Sequence, residues 1–421
     1  MAPASEFPAS DARPALSMMR VLVCGAAIVT LSMGVRHGFG LWLQPITMER
    51  GWTRETFAFA LAVQNLSWGV AGLFVGMVAD RFGAFRVLVA GSAVYAVGLA
   101  SMAIAATPLA FTLTAGVVLG LAQAATTYAV VYGVIGRNID ASRRSWAMGI
   151  TAAAGSFGQF LMLPVESALI SGFSGGSGAW FGGVGWRNAL FVLAALVLLI
   201  APLALGLRER ALATTAGAQQ SIAQALREAF GYRSFQWLMA GYFVCGFQVV
   251  FIGVHLPSYL KDHGLSPQVA TIALALIGLF NVLGTYAAGS LGQHVPKNYI
   301  LSGIYALRAV VISVFLAVPL SPASVYVFSA AIGVLWLSTV PPTNAVVAQM
   351  FGVRHFSMLS GFIFLSHQIG SFLGAWLGGR LYDAFGSYNV VWGIAIALGV
   401  FAALINLPVR ETAIVRQAVP A

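Results

Sequence analysis

The chain has 421 residues, of which 59% are hydrophobic and only 8% are charged, and its formal net charge is +10. A soluble globular domain carries about 25% charged residues, so this composition excludes a protein whose whole surface faces water. The basic residues are scattered over many short segments instead of being grouped on one face, which excludes a nucleic-acid-binding surface.

In chain order, residues 1–19 lack the basic start and short apolar core of a signal peptide, and we expect a disordered cytoplasmic tail. Beyond them, each apolar segment is long enough to cross a membrane as a helix of about 20 residues. Membrane strands would instead alternate over about 10 residues. The sequence therefore predicts an all-α membrane protein of twelve transmembrane helices, with spans near 20–46, 57–79, 86–106, 110–136, 146–171, 187–207, 235–259, 268–292, 298–319, 322–350, 357–381 and 389–408.

The distribution of Lys and Arg predicts the orientation of these spans. Fifteen of the 22 basic residues fall in the segments that share a side with the N-terminus, five fall in the opposite loops, and two lie within spans. Because cytoplasmic loops carry the excess of basic residues, we expect both termini in the cytoplasm.

A long polar connection divides the spans into two groups of six. We expect an N-terminal bundle at 20–207, a cytoplasmic linker at 208–234, a C-terminal bundle at 235–408 and a cytoplasmic tail at 409–421. Within the linker, the amphipathic segment 221–230 predicts a helix on the inner membrane surface.

The two groups repeat each other. The segment PITMERG from Pro45 resembles PSYLKDHG from Pro257, and TTYAVV from Thr126 resembles PTNAVV from Pro342. These matches have nearly the same offset, which indicates an internal repeat. Parallel six-span repeats are a transporter architecture, with the substrate between the halves near the membrane midplane.

The loop after span two carries a recognisable motif, GMVADRFGAFR, from Gly76 to Arg86. It resembles the G-x-x-x-D-R-x-G-x-R-R motif of the major facilitator superfamily, although Phe85 replaces the first of the two final basic residues. The resemblance implies the major facilitator fold, with Asp80, Arg81 and Arg86 as residues that gate the conformational switch. For Arg86, simple anchoring on the inner side is the alternative.

A second motif opens span five. The segment RRSWAMG from Arg143 resembles the R-R-x-L-A-x-G signature of monocarboxylate porters, with Trp146 in place of Leu. The acidic-Gly-Gly-Trp-Gly-Trp signature of those porters is missing before span one. The resemblance implies a bacterial monocarboxylate-porter-like branch, and hence a multi-pass protein of the inner membrane. The porters' Asp and Arg pair in span eight is absent, and Asn281 lies in that span instead.

Arg36 is the main candidate for substrate binding. A charge near the centre of a membrane helix costs about 2.5–3.5 kcal/mol, so it usually has a partner or a ligand. Its forked donors suit a carboxylate, and a snorkelling side chain is the alternative. The repeat places Gln248 opposite Arg36. His37 lies about 100° away on the helix, where the porters carry a Lys, and it could carry a proton.

Other polar residues within spans are weaker candidates. We expect Arg308 in span nine to bind either the substrate or a helix end. We expect His367 in span eleven either to contact the solute or to join packed helices by a hydrogen bond. Glu166 in span five could pair with an Arg, carry a proton or lie in a vestibule, and His255 is expected at the outer interface. The remaining candidates for the cavity lining are Tyr128, Gln159, Asn281, Asn344, Gln64, Asn65 and Gln123.

Two arginines and two histidines against one glutamate within the spans favour an anionic solute. The absence of an ATP-binding loop and of a metal-ligand motif predicts transport driven by a gradient, without cofactor or metal. We therefore expect a non-enzymatic secondary active transporter, acting as a monomer in membrane lipid. It would move a small monocarboxylate-like organic anion by alternating access, with proton coupling or by exchange. The alternatives are an exporter of amphipathic drugs or metabolites with the same fold, and a membrane sensor that binds without flux.

Overall fold

The computed structural model describes residues 16–172, 185–208, 222–352 and 356–413. Within these ranges, twelve helical segments are long and apolar enough to cross a membrane, and no strand is present. The prediction of an all-α protein with twelve membrane helices is confirmed. Most of the N-terminal tail, the first half of the linker and the end of the C-terminal tail lie outside the described residues.

The first six spans are built from one to four helical pieces each. Their bounds are Met18–His37 with Phe39–Arg50, Arg54–Phe82, Ala84–Ile104, Pro108–Phe111 with the π-helix Thr112–Val118 and with Leu119–Thr126 and Tyr128–Asn138, Ala141–Gly172, and Gly185–Val197 with Ile200–Ala204 and the 3₁₀ turn Leu205–Leu207.

The linker contributes one described helix, Ile222–Gly231, where an amphipathic helix was predicted. The last six spans are Arg233–Asp262, Pro267–Leu291, Lys297–Ala317, Pro322–Leu335 with Val340–Phe351, Phe356–Phe385, and Asn389–Asn406.

We call the side on which span one begins the proximal face and the side on which it ends the distal face. The charge distribution predicts that the proximal face is cytoplasmic. The ends of the spans follow ordinary capping rules: the Thr53 side chain accepts from the Thr56 amide at the start of span two. That span ends at Gly83, whose φ of +88° is adopted readily by glycine and rarely by other residues.

Three pairs of spans join the two halves. Span two packs along span eleven, span five along span eight, and the second helix of span one against span seven. Within the C-terminal half, Gly370 and Gly374 of span eleven lie against backbone atoms of Phe243 and Phe247 in span seven, as expected for a stripe of small residues in a membrane interface. The halves therefore enclose a shared interior.

Spans one, four and ten are discontinuous. Span one breaks at Gly38 and span four at Thr127, whose backbone is extended. Span ten breaks after Leu335, and its second helix starts at Val340 with two prolines in its first turn. Proline favours the start of a helix and disfavours helix before it. These breaks leave backbone carbonyls and amides inside the bundle that other groups must satisfy.

Candidate substrate site

Arg36 lies in the last turn of the first helix of span one, roughly 27 Å along the axis from Met18. Its Nη2 donates to Asn65 Oδ1 on span two, and its guanidinium stacks 4.5 Å from the ring centroid of Trp68. Its Nε is buried without a hydrogen-bond partner. In the described part of the chain, no Asp or Glu forms an ion pair with Arg36. The fold therefore holds a half-buried cation near the membrane midplane without a counter-charge.

Tyrosines surround this cation. Tyr128, which starts the second main helix of span four, and Tyr95 of span three are both close enough to Arg36 for an electrostatic interaction. The Tyr128 hydroxyl fills the space beside Gly155 of span five. Tyr242 of span seven lies near Tyr128. The predicted candidate Tyr128 thus lies between Arg36 and the C-terminal half.

A chain of hydrogen bonds connects Arg36 to His367 in the other half. Asn65, which accepts from Arg36, offers its backbone carbonyl to Gln368 Nε2 at 3.2 Å. Because this carbonyl can only accept, the Gln368 amide is oriented with Oε1 toward His367 Nδ1, at 3.0 Å. Nδ1 must then carry a proton that it donates to Gln368 Oε1, and the other ring nitrogen of His367 is Nε2. That Nε2 is buried and has no hydrogen-bond partner.

Aromatic rings accompany the hydrogen-bond chain. Trp68, under Arg36, packs edge-on against Phe364 with 5.1 Å between centroids, and Phe364 stacks parallel to His367 at 6.0 Å. Tyr242 covers the other side of His367 at 4.9 Å. The site therefore offers a fixed cation and apolar ring surfaces, which suits a small anion with an apolar part.

His37 is turned away from this arrangement. Its Nδ1 lies 2.6 Å from the Met33 carbonyl, one turn back along its own helix. The ring is half-buried. The structure thus places His37 beside Arg36 in sequence but gives it a different hydrogen-bond partner, as the 100° rotation between neighbours predicts.

Arg308 is buried and donates hydrogen bonds to the backbone at the break in span ten. Its guanidinium donates to the carbonyls of Leu335, at 2.7 Å from Nη2, and Trp336. Its Nη1 donates to Gln248 Oε1 at 3.2 Å, while Gln248 Nε2 donates to the Ala395 carbonyl at 2.9 Å. Arg308 therefore caps a helix end, one of its two expected environments. Gln248, the repeat counterpart of Arg36, has both ends of its amide occupied.

Gln159 and Asn281 lie where the halves meet along spans five and eight. Gln159 Nε2 donates to the Leu274 carbonyl at 3.1 Å, and Asn281 Nδ2 donates to Ser156 Oγ at 2.8 Å. Asn281 also accepts from the Leu337 amide, inside the break of span ten. These two candidates join the halves, and the half-buried Asn344 lies on the second helix of span ten.

The distal face is closed by a group of ion pairs and hydrogen bonds that we call the distal lock, formed by Arg54, Glu55, Asp262, Asp383 and Tyr388. Arg54 donates from both terminal nitrogens to Asp262, at 2.7 Å each. The Asp383 carboxylate accepts from the backbone amides of Arg54 and Glu55. Each of these bonds joins the N-terminal half to the C-terminal half.

A buried chain of hydrogen bonds supports the distal lock. Arg54 donates to the Tyr388 hydroxyl at 2.9 Å, and His255 Nδ1 lies 3.2 Å from that hydroxyl. Burial raises the pKa of Tyr388, so the hydroxyl stays neutral. His255 is only 1% exposed. The lock and span eleven cover His255, and its place at the outer interface stays a prediction.

The predicted gating residues lie on the proximal face. Asp80 forms an ion pair with Arg137 at 2.6 Å, within the N-terminal half. Arg81 and Arg86 are exposed, and Arg81 lies over the Phe82 ring. Phe85, which departs from the family motif, packs under Arg208. The ion pairs Arg54–Asp262 and Arg380–Glu55 join the two halves, and both lie on the distal face.

Sequence reasoning missed Trp68 and Tyr242, which contact Arg36 and His367. An aromatic residue in a membrane span most often faces lipid or packs in the core, so neither stood out from the other aromatic residues. Trp68 carried a positional signal, since it lies three residues after Asn65 and therefore shares its helix face.

Comparisons with known proteins agree with this arrangement. Residues 22–375 match the Major Facilitator Superfamily. The chain is 20% identical to the uncharacterised MFS-type transporter YcxA of Bacillus subtilis, covering 88% of this chain and 90% of that protein. It is 25% identical to monocarboxylate transporter 13 of Bos taurus, covering 90% and 86%.

A bacterial homologue of the human lysosomal transporter Spinster, solved in an inward-facing and unoccupied conformation, has a similar fold. The TM-score is 0.67 at 16% identity, covering 93% of this chain and 94% of that one. Twelve helices in two bundles, the motif after span two and the match over residues 22–375 lead to one conclusion: this chain is a member of the major facilitator superfamily of transporters.

Proposed function

We propose that the protein is a secondary active transporter of a small organic anion of the monocarboxylate type, which binds at Arg36 between the two halves. The monocarboxylate transporters among its relatives, at about a quarter identity, support this substrate class. The charge distribution and the bacterial relative support placement in a bacterial inner membrane with both termini in the cytoplasm.

The observation that carries the proposal is the missing counter-charge of Arg36. A guanidinium near the membrane midplane is costly unless it is paired. Asn65 and Trp68 orient it without neutralising it, and its Nε stays free. A carboxylate is the ligand whose charge and planar geometry match such a group.

The distal lock closes one of the two sides from which an anion could reach Arg36. We therefore propose that, in this conformation, access is from the proximal face. Opening the lock while closing the proximal face would expose the same site to the other side, which is alternating access. The direction of net transport then depends on the driving gradient, by proton symport or by exchange, with the protein acting as a monomer.

The test is uptake by proteoliposomes of radiolabelled acetate, pyruvate, lactate and benzoate. We expect uptake of at least one by the wild type and a loss of at least tenfold in Arg36→Gln, because a charge-assisted hydrogen bond contributes about 1.5–3 kcal/mol. The matched control is Arg187→Gln, which breaks the Glu49 ion pair on the distal face within one half.

Equal uptake by wild type and Arg36→Gln would contradict the role of Arg36. Uptake of none of the four acids, together with uptake of a cationic or neutral compound, would contradict the substrate class. Retention of uptake in Arg187→Gln would show that a loss in Arg36→Gln does not follow from removing any arginine.

A further inference from the structure

Glu166 is a carboxylic acid in the interior that transport at Arg36 does not use. Its exposure is 0%, and every other described Asp and Glu residue is at least partly exposed. Oε2 accepts from the indole Nε1 of Trp42 at 2.7 Å. Oε1 has no hydrogen-bond partner. A carboxyl group in this position is not explained by packing alone, because each unsatisfied polar atom costs free energy.

No cation neutralises Glu166 in the described structure. Span one contributes Trp42 and the backbone at Gly38, preceded by His37, whose Nδ1 points to Met33. Span three contributes Tyr95, which is close enough for an electrostatic interaction. No Lys, Arg or His among the described residues forms an ion pair with the carboxyl.

An ionised carboxylate without a counter-charge is strongly disfavoured away from water, and the group takes up a proton instead. In the conformation with a closed distal face, the Glu166 side chain is therefore a neutral carboxylic acid.

The carboxyl lies at the joint between the substrate site and the distal lock. Its oxygens fill the space that a Cβ on Gly38 would occupy, and Gly38 separates the two helices of span one. The first helix ends at His37, and Arg36 lies in its last turn. The second carries Gln44, whose Nε2 donates to Asp262 of the lock at 3.2 Å. A change in the charge or hydration of Glu166 would thus act on both sites through one helix break.

We propose that Glu166 is a proton-binding site linked to the distal face: its carboxylate takes up one proton from distal water when the face closes and releases it when the face opens. This gives the proposed transporter a protonation step on a residue of span five. The inference requires alternating access but no particular substrate, so it can stand if the anion assignment fails.

The test measures the distal distance between spin labels as a function of pH, without substrate. Cysteines replacing the exposed Met48 and Gln268 carry the labels, one in each half, in a chain whose Cys24 and Cys245 are replaced by Ser. For one linked proton, we expect the ratio of open to closed distal faces to rise by up to about tenfold per pH unit. In Glu166→Gln, which keeps an acceptor for Trp42, the ratio should be independent of pH.

The matched control is Glu49→Gln on the distal face, which should keep the pH response of the wild type. The titratable groups Asp262, Asp383, Glu55 and His255 all remain in Glu166→Gln. A pH response that survives in this variant would therefore belong to the distal lock and would overturn the proposal.

Infrared spectroscopy of the wild type gives a second test that does not depend on the variant folding. We expect a carboxylic-acid C=O band at pH 7, shifted by D₂O, and its absence would overturn the proposal. Loss of anion uptake in Arg36→Gln with both pH results intact would separate the two proposals.

Discussion

Replacing Asp262 by Asn is expected to open the distal face. The carboxylate accepts two bonds of 2.7 Å from Arg54 and one of 3.2 Å from Gln44, across the boundary between the halves. The side chains of Arg54 and Asp262 are 14% and 24% exposed, so solvent screens the pair only in part. Asn keeps one acceptor oxygen and loses the charge, which removes about 2 kcal/mol of closed-state stability.

A change of about 2 kcal/mol shifts the ratio of closed to open states by about 30-fold. A protein that is closed at about 99 to 1 would become closed at about 3 to 1. Distances between spin labels at Met48 and Gln268 should then show a second, longer component. An unchanged distance distribution in Asp262→Asn would refute the reasoning, as would an equal change in the control Glu49→Gln, whose ion pair lies within one half.

Three further changes test other contacts. Arg308→Leu leaves two buried carbonyls of span ten unpaired, and we expect a loss of about 2–4 kcal/mol, seen as a lower unfolding temperature in detergent; an unchanged temperature would contradict the capping role. Gly38→Ala should cost about 1–3 kcal/mol in the same assay because the Glu166 carboxyl fills the space, whereas Gly253→Ala, with open space, should not. Gln368→Leu should reduce anion uptake about tenfold because it removes the hydrogen bonds to the Asn65 carbonyl and to His367; wild-type kinetics would contradict the hydrogen-bond chain.

The fold was largely predictable because lipid leaves few choices for the backbone. Apolar segments of the right length must be helices, and the repeat indicates two bundles. The sequence analysis did not predict the breaks in spans one, four and ten, since a short break does not change the average hydrophobicity of a span. For span ten, the pair Pro341 and Pro342 was a usable signal, because proline favours a helix start. For Gly38 no signal existed, as its neighbour Glu166 lies far away in sequence.

The charged residue of the candidate site was predictable from the sequence. Arg36 stands out because a membrane interior tolerates few cations. Its partners could not be read from the sequence: Asn65 was one of several polar candidates, and Trp68 was one of ten tryptophans. The sequence ranked Arg308 below Arg36, and the structure supplies the reason. The Arg308 guanidinium is already engaged by the carbonyls at the break of span ten.

The most direct test of the account is anion binding by Arg36, measured with the purified protein in detergent. A ligand that binds the folded state raises the unfolding temperature. Acetate, pyruvate, lactate and benzoate should be compared with the corresponding amides, for the wild type and for Arg36→Gln. The account predicts that at least one carboxylate stabilises the wild type, that its amide does not, and that Arg36→Gln loses the effect. Equal stabilisation of wild type and variant by the carboxylate, or equal effects of carboxylate and amide, would contradict it.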